Sequence, residues 1–405
     1  MTPAAARGGA PTPAAPGGGA STPAAARLRV RALAVGLFGL GLCAAGAVLW
    51  PKTFFHAYLF AYMFWLGVTL GCLAIVMLHH VTGGAWGIVI RRLLESGTRT
   101  LPFMAVLFVP LLLGLPMLYP WARPDEVAAS ELLRHKAPYL NVPFFVARAA
   151  FYFACWMTLA WLLNRWSRRQ DETGDERLPG RFQALGAGGL VLMVLTMSFA
   201  GVDWVMSLEP EWFSTIYSLV LIAGQGVSAF CLVIIAAVLL SGEKPLSDAI
   251  RPGHLHDLGK LLFTFVLIWA YFALSQFLII WSGNLPEEVP WYLKRLRGGW
   301  EIVGLLIILL HFALPFSLLL MRRVKRHARR LLGVAVVVLV MRLVDLFWTI
   351  APARDPGGFA LHWLDLAAPI GLGGVWLYLF LRQIGRMPLL PLKDPYLEDA
   401  LSHGD

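Results

Sequence analysis

Charge is what this chain lacks most. Only 14% of its 405 residues are Asp, Glu, Lys or Arg, and 58% are apolar, where a soluble domain carries about 25% and about 45–50%. With a mean hydropathy of +0.67, the shortage excludes a water-soluble domain. Cysteine is also scarce: Cys43, Cys72, Cys155 and Cys231 all lie inside apolar runs. None belongs to a C-x-x-C-H haem-attachment site or a cluster-ligating set. They read as small buried residues, so neither covalent haem nor an iron–sulfur centre is expected on this chain. Acids are short too, leaving a net charge of +10. Such a balance can signal nucleic acid, but its placement decides otherwise.

What is abundant is long apolar sequence. Runs of roughly 20 residues, enough to cross a bilayer, lie near 31–49, 54–78, 101–119, 143–163, 184–205, 215–240, 261–281, 300–321, 331–350 and 360–381. The loops between them alternate in Lys and Arg content. One side collects Arg27, Arg29, Arg31, Arg91, Arg92, Arg99, the Arg165–Arg181 group, Lys244, Arg251, Lys260, the Arg322–Arg330 cluster and Arg382 to Lys393. The other receives little more than Lys52, Arg123, Arg134, Lys136, Lys294, Arg295, Arg297 and Arg354. The positive-inside rule then places both termini in the cytoplasm. The basic balance is topology, and no nucleic-acid partner is expected.

Two stretches repeat one pattern. Tyr58, Gly67-Val68-Thr69, Cys72-Leu73 and Ile75 recur at the same spacings as Tyr217, Gly226-Val227-Ser228, Cys231-Leu232 and Ile234. Val202-Asp203 precedes Pro210 as Val344-Asp345 precedes Pro352. The expected fold is an all-α polytopic membrane protein of about ten transmembrane helices, with spans 2–5 and 6–9 forming duplicated four-helix bundles in parallel orientation. The division is a disordered cytoplasmic tail over 1–30, a retained flanking helix over 31–50, bundles over 51–210 and 211–355, and a flanking helix with a cytoplasmic tail over 356–405. The Ala-, Pro- and Gly-rich start cannot build a core. Residues 83–100 are too polar to span and read as a short amphipathic helix on the inner surface. The 120–142 loop is long enough to form a docking or capping structure.

Ionisable groups inside apolar spans are costly and point to function. Asp203, Glu301, Arg342 and Asp345, with Arg148, fall in the outer half; His79, His80, Asp257 and Lys260 fall in the inner half; His311 lies near the middle. Together they form a candidate proton pathway of two half-paths meeting at His311, since histidine titrates near neutrality. Simpler readings stand beside this one. Arg342 and Asp345, three apart on one helix, can neutralise each other. Asp203, Glu209 and Glu211 can be solvated helix ends, His79 and His80 can be interfacial, and His311 can be a packing residue. His254, His256 and Asp257 resemble metal ligands by type, but a loop before a helix explains them, so no metal is expected. Tryptophans at span ends, among them Trp50, Trp86, Trp121, Trp204, Trp281, Trp291 and Trp300, read as interfacial anchors. His311 has no second histidine at its depth, which argues against non-covalent haem.

Five segments together carry a family likeness: His79-His80-Val81-Thr82-Gly83-Gly84-Ala85-Trp86-Gly87, Asp203-Trp204-Val205-Met206-Ser207-Leu208-Glu209-Pro210, His256-Asp257-Leu258-Gly259-Lys260-Leu261, Trp281-Ser282-Gly283-Asn284-Leu285-Pro286-Glu287-Glu288, and Gly298-Gly299-Trp300. Over about residues 30–390 the chain resembles the F subunit of bacterial alternative complex III, a quinol:cytochrome c oxidoreductase, within the NrfD-like, polysulfide-reductase-type membrane subunits. The resemblance implies the bacterial inner membrane and a paralogous NrfD-like C subunit. It also implies a multihaem cytochrome c subunit, an iron–sulfur subunit, small membrane subunits and surrounding lipid; an attached terminal oxidase is compatible. Haem c and iron–sulfur clusters would sit on those partners, with no cofactor on this chain. The F subunit is then expected to contribute proton-conducting half-channels and assembly, with no catalytic residue of its own. Two alternatives remain: an anchor that binds and oxidises quinol or menaquinone near His56, Asp203 and Trp204, and a secondary transporter. A pure scaffold is a third.

Overall fold

In the computed structural model, which describes residues 23–355 and 357–402, long helices account for most of the described residues. Ten are long and apolar enough to cross a membrane among the described residues. They are α1 (Pro23–Leu49), α2 (Pro51–Thr82), α3 (Arg91–Leu113), α4 (Val142–Thr173), α5 (Leu178–Leu208), α6 (Tyr217–Leu240), α7 (Pro252–Gly283), α8 (Trp300–Leu320), α9 (Ala328–Ala353) and α10 (Leu364–Ile384). Residues 1–22 of the expected tail lie outside the described residues, and 23–30 already belong to α1.

The contacts follow the duplication. In the first bundle α3 and α5 each pack on both α2 and α4; in the second, α7 and α9 each pack on both α6 and α8. Across the bundles α2 meets α6, while α5 meets α6 and α9 meets α2. These are the pairings a two-fold exchange of the bundles requires. The central crossing is close because Gly71 has no side chain: a Cβ there would lie 2.1 Å from the Gln225 carbonyl oxygen of α6. At neighbouring Gly67 a Cβ would meet only the Gln225 Cγ, at 3.4 Å. Outside the bundles, α1 packs on α10, and α10 on α2. The indoles of Trp65 and Trp376 stack at 5.1 Å and donate to the Pro369 carbonyl and Thr69 Oγ1, both at 2.9 Å.

Two spans are irregular for reasons visible in their residues. α3 is interrupted at Arg99–Thr100 and at Phe108, and a short helix, Leu115–Leu118, follows it beyond Gly114. Pro102, Pro110 and Pro116 stand at the starts of these segments, and each proline removes a helix donor. α8 is π-helical over Ile307–Ala313. Pro315 follows at once; lacking an N–H, it cannot close the α-helical bond to His311, and the backbone accommodates this by widening.

The segment 83–100 differs from its sequence reading. Only 83–90 is a connection, and Arg91–Thr98, buried at every position, begins α3 inside the bundle instead of lying on the surface. Arg91, Arg92 and Glu95 depress the hydropathy there, but Glu95 pairs with both arginines, and Asp171 of α4 and Asp394 complete the neutralisation. The 120–142 loop forms two short helices, Pro124–Ala129 and Glu131–Lys136, held down by buried Trp121 and Leu133. Of the proposed anchors, Trp50 and Trp281 are exposed, whereas Trp121, Trp204, Trp291 and Trp300 are buried. Aromatic partners inside the fold claim them before any interface can.

Candidate functional site

The connections gather on two faces. On the opposite, charge-poor face Lys136 Nζ donates to the Pro210 carbonyl at 2.6 Å, and Trp212 Nε1 to the Glu288 carbonyl at 3.0 Å. On the basic face Asp394 of the C-terminal segment accepts from Arg91, and His254 Nε2 lies 2.9 Å from the Ala400 carbonyl.

In the first bundle, beneath the charge-poor face, Asp203 is completely buried. Arg148 of α4 donates to both its carboxylate oxygens, Nε to Oδ2 at 2.8 Å and Nη2 to Oδ1 at 2.9 Å. Tyr152 Oη adds a third bond at 2.8 Å. The guanidinium also lies 3.9 Å over the Tyr139 ring and 4.3 Å over Phe144. A buried carboxylate with a bidentate arginine and a phenol is satisfied, not a solvated helix end. Trp204 sits in an aromatic nest with Phe108 at 4.7 Å and Phe153 and Trp156 at 5.9 Å. His56 starts α2 and bonds Lys52 O through Nδ1 at 2.9 Å. No contact joins His56 to Asp203 or Trp204 among the described residues.

The second bundle holds the counterpart at Asp345. Its carboxylate pairs with Arg342 one turn back, as the three-residue spacing allows, and both are buried. His311 is buried in the π-helical segment with its ring 4.3 Å from Trp269, edge to face. Neither ring nitrogen completes a well-aligned hydrogen bond, although Arg342 and the Val338 carbonyl lie in its electrostatic surroundings. Arg342 rests against the α6 backbone at Gly224, where a Cβ would fall 2.1 Å from its Cζ. The bundles thus carry equivalent acids with different company. Asp203 has a cross-helix arginine and a tyrosine; Asp345 has a same-helix arginine, with an imidazole nearby.

Under the basic face lies a cavity of about 620 Å³ lined by His79, His80 and Asp257 together with Trp86, Gln170, Phe182 and Asp394. It therefore unites three of the four residues expected on that side. Lys260, the fourth, is exposed and bonds Asp257 at 3.0 Å. Behind the wall runs a network that sequence reasoning missed. Arg91 Nε meets Glu95 Oε1 at 2.9 Å and Nη1 meets Asp394 Oδ2 at 2.7 Å; Arg92 Nη1 meets Glu95 Oε2 at 2.7 Å and Nη2 meets Asp171 at 2.5 Å. Ser167 Oγ donates to Glu95 Oε1 at 2.6 Å. The signal was present as three charges in one turn, but their partners lie as far as 303 residues away.

Other expected residues are not in these sites. Glu301 is exposed, its Oε2 accepting from the Gly299 amide at 2.9 Å; it satisfies a helix start. Glu209 is tied to Arg295 at 3.0 Å and Lys294 at 2.6 Å. Burial works against its charge, but these cations outweigh it and hold the carboxyl below its ordinary value. Arg354 binds Asp365 at 2.7 Å and Asp355 at 2.6 Å, pinning the last connection on this face. Among the described residues no three His, Cys, Asp or Glu side chains converge as a metal-holding group.

These features define an all-α, multi-pass membrane protein with buried ionisable clusters in two related bundles. No protein-family profile matches the chain, and no characterised protein matches it significantly.

Proposed function

We propose that the chain is a proton-handling, structural membrane subunit of a quinol:cytochrome c oxidoreductase complex. It resides in a bacterial inner membrane with both termini in the cytoplasm. The observation that carries this reading is the set His311, Arg342 and Asp345, buried inside a membrane bundle with the imidazole nitrogens lacking well-aligned partners. Such groups are expensive in a bilayer and mark proton paths by default. The cavity at His79 and His80 supplies an entry from the basic face. In this reading His79, His80 and Asp257 take up protons, His311 passes them on near the middle of the membrane to Asp345 in the outer half, and Arg342 is the cation paired with Asp345. Asp203, fully satisfied by Arg148 and Tyr152, is a structural acid. The electrons travel through partners: a paralogous C subunit binding quinol or menaquinone, a multihaem cytochrome and an iron–sulfur protein, with a terminal oxidase as a further associate. The lipid-facing sides of α1, α7 and α8, the least buried of the spans, provide area for those contacts.

Purification through a tag on this chain in mild detergent tests the assembly. Co-elution of haem c absorbance with quinol:cytochrome c activity is expected. Elution of a haem-free, inactive single chain from membranes that retain the activity would contradict the reading.

The crossing at Gly71 favours a second reading. Close small-residue contacts at a repeat interface are what a transporter needs to rock one bundle against the other. Substrate uptake by the isolated chain in liposomes would support it.

A further inference from the structure

The cavity under the basic face has a chemistry that proton entry does not require. His79 Nε2 lies 3.2 Å from the Gly84 carbonyl. A carbonyl only accepts, so Nε2 carries the proton and Nδ1 of the neutral ring offers a lone pair. That Nδ1 has no hydrogen-bond partner, and neither does Gln170 Oε1; both residues are buried wall residues of the cavity. Asp257, paired with Lys260, and Asp394, paired with Arg91, add carboxylates, and Asp399 a third at the rim. No lysine or arginine lines the cavity, although it opens on the face where the cations collect. Arg91 lies behind the wall, its guanidinium occupied by Glu95, Asp394 and Ser167. Trp86 and Phe182 give it aromatic surface. Buried acceptors without donors lose solvation for nothing unless a donor arrives. The matching ligand donates several hydrogen bonds, carries positive charge, and tolerates aromatic contact.

We propose that this cavity binds a primary ammonium group, carried either on an aminophospholipid headgroup or on a free aliphatic amine. Gln170 Oε1 and His79 Nδ1 accept its N–H groups, and Asp399 at the rim adds negative charge beyond the pairs that Asp257 and Asp394 make with Lys260 and Arg91. A quaternary ammonium has no N–H to donate and binds poorly for that reason. The C-terminal segment closes the site, since it supplies Asp394, Asp399 and Ala400 and is itself tied down by Arg91 and His254. Binding does not depend on proton transfer or on partner subunits, so it is read without turnover.

The test uses the full chain in nanodiscs of equal phosphatidylethanolamine and phosphatidylcholine, with native mass spectrometry of the lipid retained on release. A second arm titrates putrescine into protein held in phosphatidylcholine alone. Gln170→Leu removes the acceptor at similar volume, and Gln170→Glu keeps it and checks folding. Retention of phosphatidylethanolamine over phosphatidylcholine by about tenfold, the worth of one charge-assisted hydrogen bond, is expected. It should fall to parity in Gln170→Leu and persist in Gln170→Glu. Saturable putrescine binding with the same variant pattern, without lipid preference, identifies a free amine as the ligand. Absence of both, or either preference unchanged in Gln170→Leu, overturns the proposal.

Discussion

Asp203 and Asp345 occupy equivalent places in a duplicated sequence, yet their partners differ. Asp203 accepts three hydrogen bonds from Arg148 and Tyr152, so removing one partner leaves an uncompensated charge. Arg148→Met should cost about 3–5 kcal/mol, the usual penalty for breaking a buried pair, and pairing it with Asp203→Asn should recover part of that loss. Thermal unfolding in detergent reads both. Glu209 behaves differently because it lies outside the spans. Its carboxyl is held below the ordinary 4.5 by Arg295 and Lys294 against the cost of burial. Its stabilisation is therefore complete above that ordinary value and is lost as pH falls through the depressed one. Melting temperature should drop on acidification below about pH 4.5 in wild type, with a shallower drop in Glu209→Gln. At this scale the sequence was informative about which residues are costly. An acid or histidine in an apolar run stands out without any structure, as Asp203, His311 and Asp345 did. Their partners did not stand out. Nothing local to Asp203 specifies Arg148, 55 residues earlier. The Arg91–Arg92–Glu95 group was misread because Glu95 balances only one arginine and the other acids, Asp171 and Asp394, are distant in sequence.

Among the elements, α2 is the axis of the molecule, packing on both bundles and on α10. Its apolar window is 89% buried, against 28% for α1. Gly71 sets how closely it meets α6. Gly71→Ala should destabilise by about 1–3 kcal/mol, the usual cost of overpacking, because the new methyl faces backbone at 2.1 Å. Gly67→Ala, facing a flexible glutamine side chain at 3.4 Å, should change the melting temperature little. Equal losses at the two positions would show that the crossing is not where the bundles are tightest. Ten spans could be read from apolar runs because the hydrophobic requirement of a bilayer is local in sequence. The start of α3 could not, since buried ion pairs lower hydropathy just where the helix enters the bundle. Nor could the π-helical turn at His311, although Pro315 supplies its cause.

For the whole molecule, the matched contacts of α2–α5 and α6–α9 make the bundles equivalent in packing and unequal in chemistry. The first bundle ties its buried charges into ion pairs, Asp203 with Arg148 and Glu95 with Arg91 and Arg92. The second keeps an imidazole free of well-aligned hydrogen bonds beside an ion pair, and the cavity at His79 and His80 lies under the basic face. Reporter fusions at 244 and 297 should place the basic face in the cytoplasm and the other outside; the reverse would invert the direction of any proton path. The most direct measurement is proton translocation by liposomes carrying the assembly purified through this chain, with quinol oxidation followed in the same vesicles. Wild type is compared with His311→Leu and Asp345→Asn. Oxidation that persists while translocation falls at least tenfold, about 1.4 kcal/mol in the governing barrier, is the result this account predicts. Translocation that stays coupled to oxidation in both variants would contradict it.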